Sequence, residues 1–375
     1  MGITTYFGLP YPASSDPVAS GAANIQSLAT DTEIALYKVQ ATAGLRNRLI
    51  NGSMEFWQRG TTAVTASNTY SADRWVVNRA TSTVSVTRAT FAPNAQTPGP
   101  IRFATAYTVT TGATSTSYAQ LAQRIEDVGT LAGSTVTVSF YAYASAANLE
   151  IACSLQQVFG TGGSPSGAVS IYAYTARKTS SLSTSLYARY EFSFIVPNIA
   201  LKVRGTNGDD YLNLILWLDA GSTYNTETDT LGNQSGTFYI TGVQLERSPG
   251  PSAFEERPRQ TELALCQRYY EKSFALGTAP GTGTFAGAVA VIPYTTTAGK
   301  VYATVRFAVP KRAAPTVTIF STADGSSGNW FEAGFGNRAG SAQYITETSC
   351  VLYNTVAAAV AGAEYTTNFV AAIEL

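Results

Sequence analysis

The side chains best suited to chemistry lie at alternate positions of strand-like runs. Tyr141 and Tyr143 alternate with Val136, Val138, Phe140 and Ala142, while Tyr211, Asn213 and Trp217 alternate with Leu212, Leu214, Leu216 and Leu218. Gln156 stands opposite Ile151, Cys153 and Leu155, and Arg189 opposite Tyr190, Phe192 and Phe194. Successive side chains of an extended chain point to opposite faces, so each apolar series turns inward and its partner outward. Sugars need aromatic planes for the apolar face of the ring and amides or charges for the hydroxyls. Tyr141, Tyr143, Gln156, Arg189, Tyr211, Asn213 and Trp217 are therefore the candidate glycan surface, expected on one sheet face with Ser139 and Glu191. The same aromatics also suit cross-strand pairs or a subunit interface, and both readings stay open.

Catalytic chemistry finds less support. The chain has no histidine, which removes the commonest general base and transition-metal ligand, and with them Ser/His/Asp and Cys/His arrangements. Glycosidases need two carboxylates across a cleft. Glu126/Asp127, Asp209/Asp210 and Glu255/Glu256 are sequence neighbours, which a strand would point to opposite faces; carboxylates distant in sequence can still meet. The glycine-rich runs 160–163 and 277–287 lack the Lys-Ser/Thr of a phosphate loop. NGDD at 207–210 departs from EF-hand spacing and reads as a plain acidic turn. The expectation is a protein with no catalytic residue, no cofactor and no metal.

The elements that must hold such a surface are strands. At 375 residues the chain exceeds one ordinary domain. Charged residues make up only 13%, and 22 tyrosines with 17 phenylalanines are too many for a disordered chain. Lys plus Arg equals Asp plus Glu at 24 each, so no global field draws the protein to nucleic acid. The three cysteines, Cys153, Cys266 and Cys350, are far apart and odd in number, as expected of free thiols in a reducing cytoplasm. No apolar run approaches the roughly 20 residues of a membrane span, and the N-terminus lacks the basic and apolar regions of a signal peptide.

Taken in order, residues 1–15 mix Gly, Pro and aromatics and are expected to dock on a partner. Asp16-Pro17 signals a helix start. The spacing of Ile25, Ala29, Thr32, Leu36 and Val39 then predicts one seam of a helix, suited to a trimeric coiled coil. Residues 1–44 are thus an anchoring arm and helix. Residues 45–247 read as an antiparallel sandwich, a jelly roll, with strands over 135–144, 151–155, 190–194, 211–219 and 238–243. Asn51-Gly52 is a turn, Trp57 and Trp75 belong to the core, and Asp73 and Arg74 form a local ion pair. Residues 248–275 are a linker and short helix, with Leu263, Cys266, Tyr269 and Tyr270 on one face. Residues 276–375 form a smaller β-sandwich domain, with strands over 284–292, 300–309, 315–321, 351–357 and 365–374.

One set of motifs points further. Asn47, Asn51, Gly52, Met54, Trp57, Gln58, Arg59 and Gly60, followed by Tyr70, Ala72, Asp73, Arg74 and Trp75, carry a pattern that resembles bacteriophage tail-fibre and related virion appendage proteins. The stretches 123–145 (QRIEDVGTLAGSTVTVSFYAYAS), 238–248 (FYITGVQLERS), 262–274 (ELALCQRYYEKSF) and 306–321 fit the same family, and residues 8–29 resemble the start of particle-attached fibres. The resemblance implies a jelly roll like that of carbohydrate-binding modules. It also implies a trimeric fibre, bound to other phage particle proteins through residues 1–44 and to host-surface polysaccharide through its β-domains. The protein would be assembled in the host cytoplasm and located in the virion, with no membrane insertion. The alternatives are a purely structural head fibre, collar fibre or decoration protein, and a polysaccharide depolymerase, for which no coil repeat is visible.

Overall fold

The computed structural model describes residues 2–3, 10–11, 17, 20–40, 45–91, 101–110, 114–293, 301–354 and 360–375, with the side chains of 2–3, 10–11 and 33–40 outside the description. Most of the expected arm at 1–15 therefore lies outside the described residues. Its two described pieces, β1 (Gly2–Ile3) and β2 (Pro10–Tyr11), pair antiparallel. Helix α1 spans Gly21–Gln40. It begins later than the Asp16-Pro17 signal, after a turn in which the Ser20 N–H donates to the Pro17 carbonyl.

Eleven strands follow up to residue 246: β3 (Thr69–Tyr70), β4 (Val76–Ala80), β5 (Thr83–Thr90), β6 (Phe103–Thr110), β7 (Tyr118–Glu126), β8 (Thr135–Ala144), β9 (Ala152–Val158), β10 (Val169–Tyr172), β11 (Ala188–Ile195), β12 (Tyr211–Ala220) and, after the one-turn helix α2 (Asn225–Thr228), β13 (Gly236–Glu246). They form two antiparallel sheets, ordered β10-β9-β12-β7-β4-β3 and β11-β8-β13-β6-β5. From β6 to β9 and from β10 to β13 the chain changes sheet at every connection, as a jelly roll requires.

The strand alternation of the sequence decides what lies between the sheets. Val136, Val138, Phe140 and Ala142 of β8 and Phe192 and Phe194 of β11 meet Leu212, Leu214, Leu216 and Leu218 of β12 and Cys153 and Leu155 of β9 in one core, which also takes Trp57 and Trp75. Burying a large apolar side chain contributes about 1.5–3 kcal/mol, so this inner layer dominates the stability of the sandwich.

The corner at 45–75 closes one end of that core. Asn51 adopts a left-handed backbone (φ 57°), and its side chain both accepts from the Phe56 N–H (3.0 Å) and donates to the Phe56 and Asp73 carbonyls. Gly52 follows because a Cβ there would run into the Val243 carbonyl oxygen. Asp73 and Arg74 do not pair with each other. Arg74, at φ 72°, turns away to reach Glu374, whereas Asp73 is held by Gln58 (2.7 and 3.0 Å) and Arg59 (3.7 Å).

Helix α3 (Arg259–Gln267) is shorter than expected. Tyr269 and Tyr270 lie beyond it, and the chain passes at once into β14 (Tyr270–Lys272). The remaining strands are β15 (Val289–Val291), β16 (Tyr302–Arg306), β17 (Thr316–Ser321), β18 (Asn329–Glu332), β19 (Gly336–Gln343), β20 (Ser349–Asn354) and β21 (Tyr365–Ala372). With β14 they make one eight-stranded sheet in which β21 pairs with β14, β15, β17 and β18. Trp330, Leu352, Tyr365 and Phe369 lie in its own apolar cluster. The fold is mainly β throughout, built of antiparallel strands. Among the described residues no helix is long and apolar enough to cross a membrane.

Candidate functional site

The seven residues of the candidate glycan surface divide between the two sheets. Tyr141 and Tyr143 on β8 and Arg189 on β11 occupy the outer face of one; Gln156 on β9 and Tyr211, Asn213 and Trp217 on β12 occupy the outer face of the other. Packed sheets stand about 10 Å apart, so the two groups face opposite directions. The alternation of each strand is as expected, but the single surface is two.

On the first face the groups are mostly engaged. Tyr143 stacks on Tyr239 (4.3 Å, 4° between planes) and meets Tyr187 edge-on at 4.7 Å. Burial and the neighbouring Tyr239 push the Tyr143 phenol up. Arg189 lies over Tyr141 (5.8 Å) and donates to Ser139 Oγ (3.1 Å) and the Ser252 carbonyl, fastening the chain after β13 onto the sheet.

On the second face Trp217 is packed beneath other rings, while Gln156 and Tyr211 are half-exposed. Trp217 is only 5% exposed, its indole N–H donates to Ser154 Oγ (2.9 Å), and Tyr118 and Tyr224 cover its ring. Four residues earlier on β12, Asn213 sits in register with Gln156 on one side and Arg124 on the other. Asn213 is 7% exposed, and its Oδ1 is buried without a protein hydrogen-bond partner. The Gln156 amide is likewise unpaired among the described residues. Arg124 lies over the Tyr211 ring (5.4 Å) and is itself tied to Asn68 Oδ1 (3.3 Å) and the Leu375 carbonyl. Two amides, a guanidinium and a phenol ring thus share one patch of sheet. Sequence reasoning missed Arg124, although the outward series Tyr118, Gln120, Ala122, Arg124 was there to find it.

The adjacent carboxylates do meet distant ones. Glu126, Asp127 and Asp210 line a polar cleft of about 210 Å³ with Arg204 and Arg312. Each is committed: Arg204 lies 2.8 Å from Asp127 and 3.6 Å from Asp210, and Arg268 donates to Glu126 at 2.9 and 3.1 Å. Burial pushes the Glu126 carboxyl up, but the hydrogen bonds from Arg268 and Tyr269 and the charge of Arg312 outweigh it and hold it below the usual carboxylate range. A general acid needs the opposite shift. Asp209 accepts from the Thr161 N–H (2.7 Å) and hydroxyl (2.5 Å), which closes the NGDD turn onto the 160–163 loop. Among the described residues no group of three His, Cys, Asp or Glu side chains is placed to hold a metal ion. The three cysteines are buried and unpaired.

The motif residues at 47–75 serve a junction. Asn47, Asn51, Gln58, Asp73 and Arg74 are buried. Gln58 donates to the Tyr270 carbonyl (3.1 Å), and Arg59 lies over the Tyr270 ring (3.8 Å) while pairing with Glu374 (2.7 Å). Burial pushes the Asp73 carboxyl up against the opposing pull of Arg59 and Gln58.

The chain is therefore a mainly β protein with a jelly-roll sandwich and a further antiparallel sheet docked on its corner. No family model matches it, and no curated protein sequence does. Among solved structures it is similar to the enzymatically active domain of tailspike protein 4 of bacteriophage CBA120 (14% identity, TM-score 0.32, covering 53% of this chain and 21% of that one). It is also similar to the family 11 carbohydrate-binding module of Clostridium thermocellum in complex with a β-1,3-1,4-mixed-linked tetrasaccharide (13% identity, TM-score 0.28, 50% and 98%). A third is TmCBM27, a carbohydrate-binding module described for mannan recognition (10% identity, TM-score 0.27, 54% and 95%). The chain thus spans about a fifth of the length of the tailspike domain.

Proposed function

We propose that the protein is a non-catalytic virion appendage, a trimeric tail fibre that attaches to the particle through residues 1–44 and adheres to host-surface glycan. Residues 45–247 and 276–375 would be its two β-domains, joined by 248–275, and Ile25, Ala29, Thr32, Leu36 and Val39 its trimer seam. The observation that carries adhesion is the Asn213–Gln156 amide pair. The half-exposed Gln156 amide beside Asn213 has no protein partner among the described residues, and a sugar hydroxyl donates to its oxygen while another accepts from its N–H. Tyr211 beside them supplies an aromatic ring for the apolar side of the sugar. Several copies on one particle would multiply weak contacts through effective concentration.

Binding of the purified protein to host-type cells and to a panel of bacterial surface polysaccharides, with reducing ends followed, tests this reading. Saturable binding without new reducing ends is expected, weakened at least tenfold in Asn213→Ala and Gln156→Ala. New reducing ends would make the protein a depolymerase. The absence of binding at any concentration would leave a structural head or collar fibre, the reading favoured by the ring contacts that occupy Trp217 and Tyr143 within the subunit.

A further inference from the structure

A second cleft, of about 410 Å³, lies away from both sheet faces considered above, between the 47–56 corner, the start of β6 and residues 254–262 leading into α3. That volume falls in the range of small-ligand sites. One wall is apolar, made by Phe56, Ile101 and Phe254.

The charged lining is unevenly committed, and Arg259 lies over the Phe56 ring at 5.2 Å. Glu55 alone serves two guanidiniums: Arg259 Nε donates to its Oε1 (2.9 Å), and Arg102 reaches the same oxygen and, through Nε, the other at 3.3 Å. A guanidinium has five N–H groups. Arg259 thus keeps both Nη groups and Arg102 keeps Nη1, on side chains that are each 58% exposed. Deeper in, Arg257 is nearly buried, and its Nε has no partner.

The other carboxylates differ in their commitments. Glu255 accepts from the backbone N–H groups of Arg46 and Asn47, and Glu262 from Asn51 and Arg257. Glu256 is exposed on the rim without a cation partner among the described residues. The free donors therefore cluster at Arg102 and Arg259, beside Phe56, and Glu256 lines the same cleft as a free acceptor.

We propose that this cleft is a second binding site, which takes a sugar unit bearing an oxyanion, a carboxylate or a phosphate. The oxyanion sits on the free N–H groups of Arg102 and Arg259, the ring lies on the Phe254 side, and a hydroxyl donates to Glu256. Two guanidinium forks match a planar or tetrahedral oxyanion in a way that two ammonium groups do not. The site is independent of the sheet face: Asn213→Ala and Gln156→Ala leave it intact, so either reading can fail alone.

The test is titration of the full chain with D-glucuronate, glucose 6-phosphate and glucose by calorimetry, in low and high salt. Glucuronate or glucose 6-phosphate should bind, more weakly as salt rises, and glucose should not; which of the two binds identifies the oxyanion. Arg102→Gln and Arg259→Gln should each weaken binding at least tenfold without shifting the unfolding midpoint. Arg102→Lys, which keeps the charge and loses the fork, should recover only part of it. Glucose binding as tightly as the acids, neither acid binding at millimolar concentration, or full binding by both Gln variants would overturn the proposal.

Discussion

Arg74 and Glu374 stand 300 residues apart in sequence and form an ion pair in which the arginine is buried. The guanidinium also lies 3.4 Å from the Tyr269 ring centroid and donates to the Arg124 carbonyl (2.6 Å). One side chain thereby joins the 45–75 corner, β7, the segment after α3 and the end of β21. Removing one partner of a buried pair strands the other charge and costs about 3–5 kcal/mol. Glu374→Gln, which strands the buried guanidinium, is expected to lower the unfolding free energy in urea by that measure. After Arg74→Ala the glutamate still keeps Arg59, and the cost is that of the lost side chain and its contacts. Additive effects in the double variant would show that the pair is not coupled.

Lys272 sets a pH dependence. Burial lowers its amine from 10.5 to about 8, while its Nζ donates to the Leu276 (3.0 Å) and Thr278 (2.6 Å) carbonyls. Between those values the folded chain has released the proton and the unfolded chain still holds it. The unfolded state binds more protons, so this group's contribution to stability rises as pH increases. The buried thiols work the other way, since burial pushes all three up and Cys350 to about 11. The difference between the wild-type chain and Lys272→Met isolates the lysine. Denaturant midpoints at pH 7.5 and 9.5 should move in favour of the wild type, and parallel curves would refute the assignment.

Trp217 is expected to behave as a packing residue. Truncating a buried tryptophan costs about 3–5 kcal/mol, and here Ser154 also loses its donor. Trp217→Ala should lower the melting temperature by many degrees, whereas Asn213→Ala, which removes an unpaired acceptor, should leave it unchanged or raise it. Equal losses in calorimetric scans of the two would contradict the assignment of the packing role on this face to Trp217.

Ile25 is 62% exposed on α1, and Ala29 is exposed beside it. Thr32 is half-buried, and the remaining seam residues, Leu36 and Val39, lie outside the described side chains. Light scattering of the full chain should report a trimer, and Ile25→Asp should shift it towards monomer while the circular dichroism of the β-domains is kept. Deleting residues 1–44 should prevent incorporation into particles. A monomeric wild-type chain at micromolar concentration would remove the seam.

Strands were legible at several runs of strong period-two alternation, although β5 (TVSVTRAT), which alternates as well, was not among those expected. The run 135–144 matches β8 residue for residue, and 211–219 matches β12 to within one residue. β18 escaped notice because it is only four residues long and carries Glu332 at a buried position, and β19 because GNRAGSAQ is poor in apolar residues. α3 ended early because Tyr269 and Tyr270 are recruited to the junction with β21, a demand that local helical spacing does not contain.

Which side chains turn inward, the absence of histidine chemistry and the jelly-roll class follow from the sequence alone, since alternation and composition are properties of the local chain. Sheet membership is not local. It depends on hydrogen-bond register between strands far apart in sequence, such as the pairing of β12 with both β7 and β9. The tertiary structure therefore decided that Tyr141 and Asn213 look in opposite directions. It also took Arg74 from its neighbour Asp73 to Glu374, and it brought Arg102 and Arg259 onto one carboxylate.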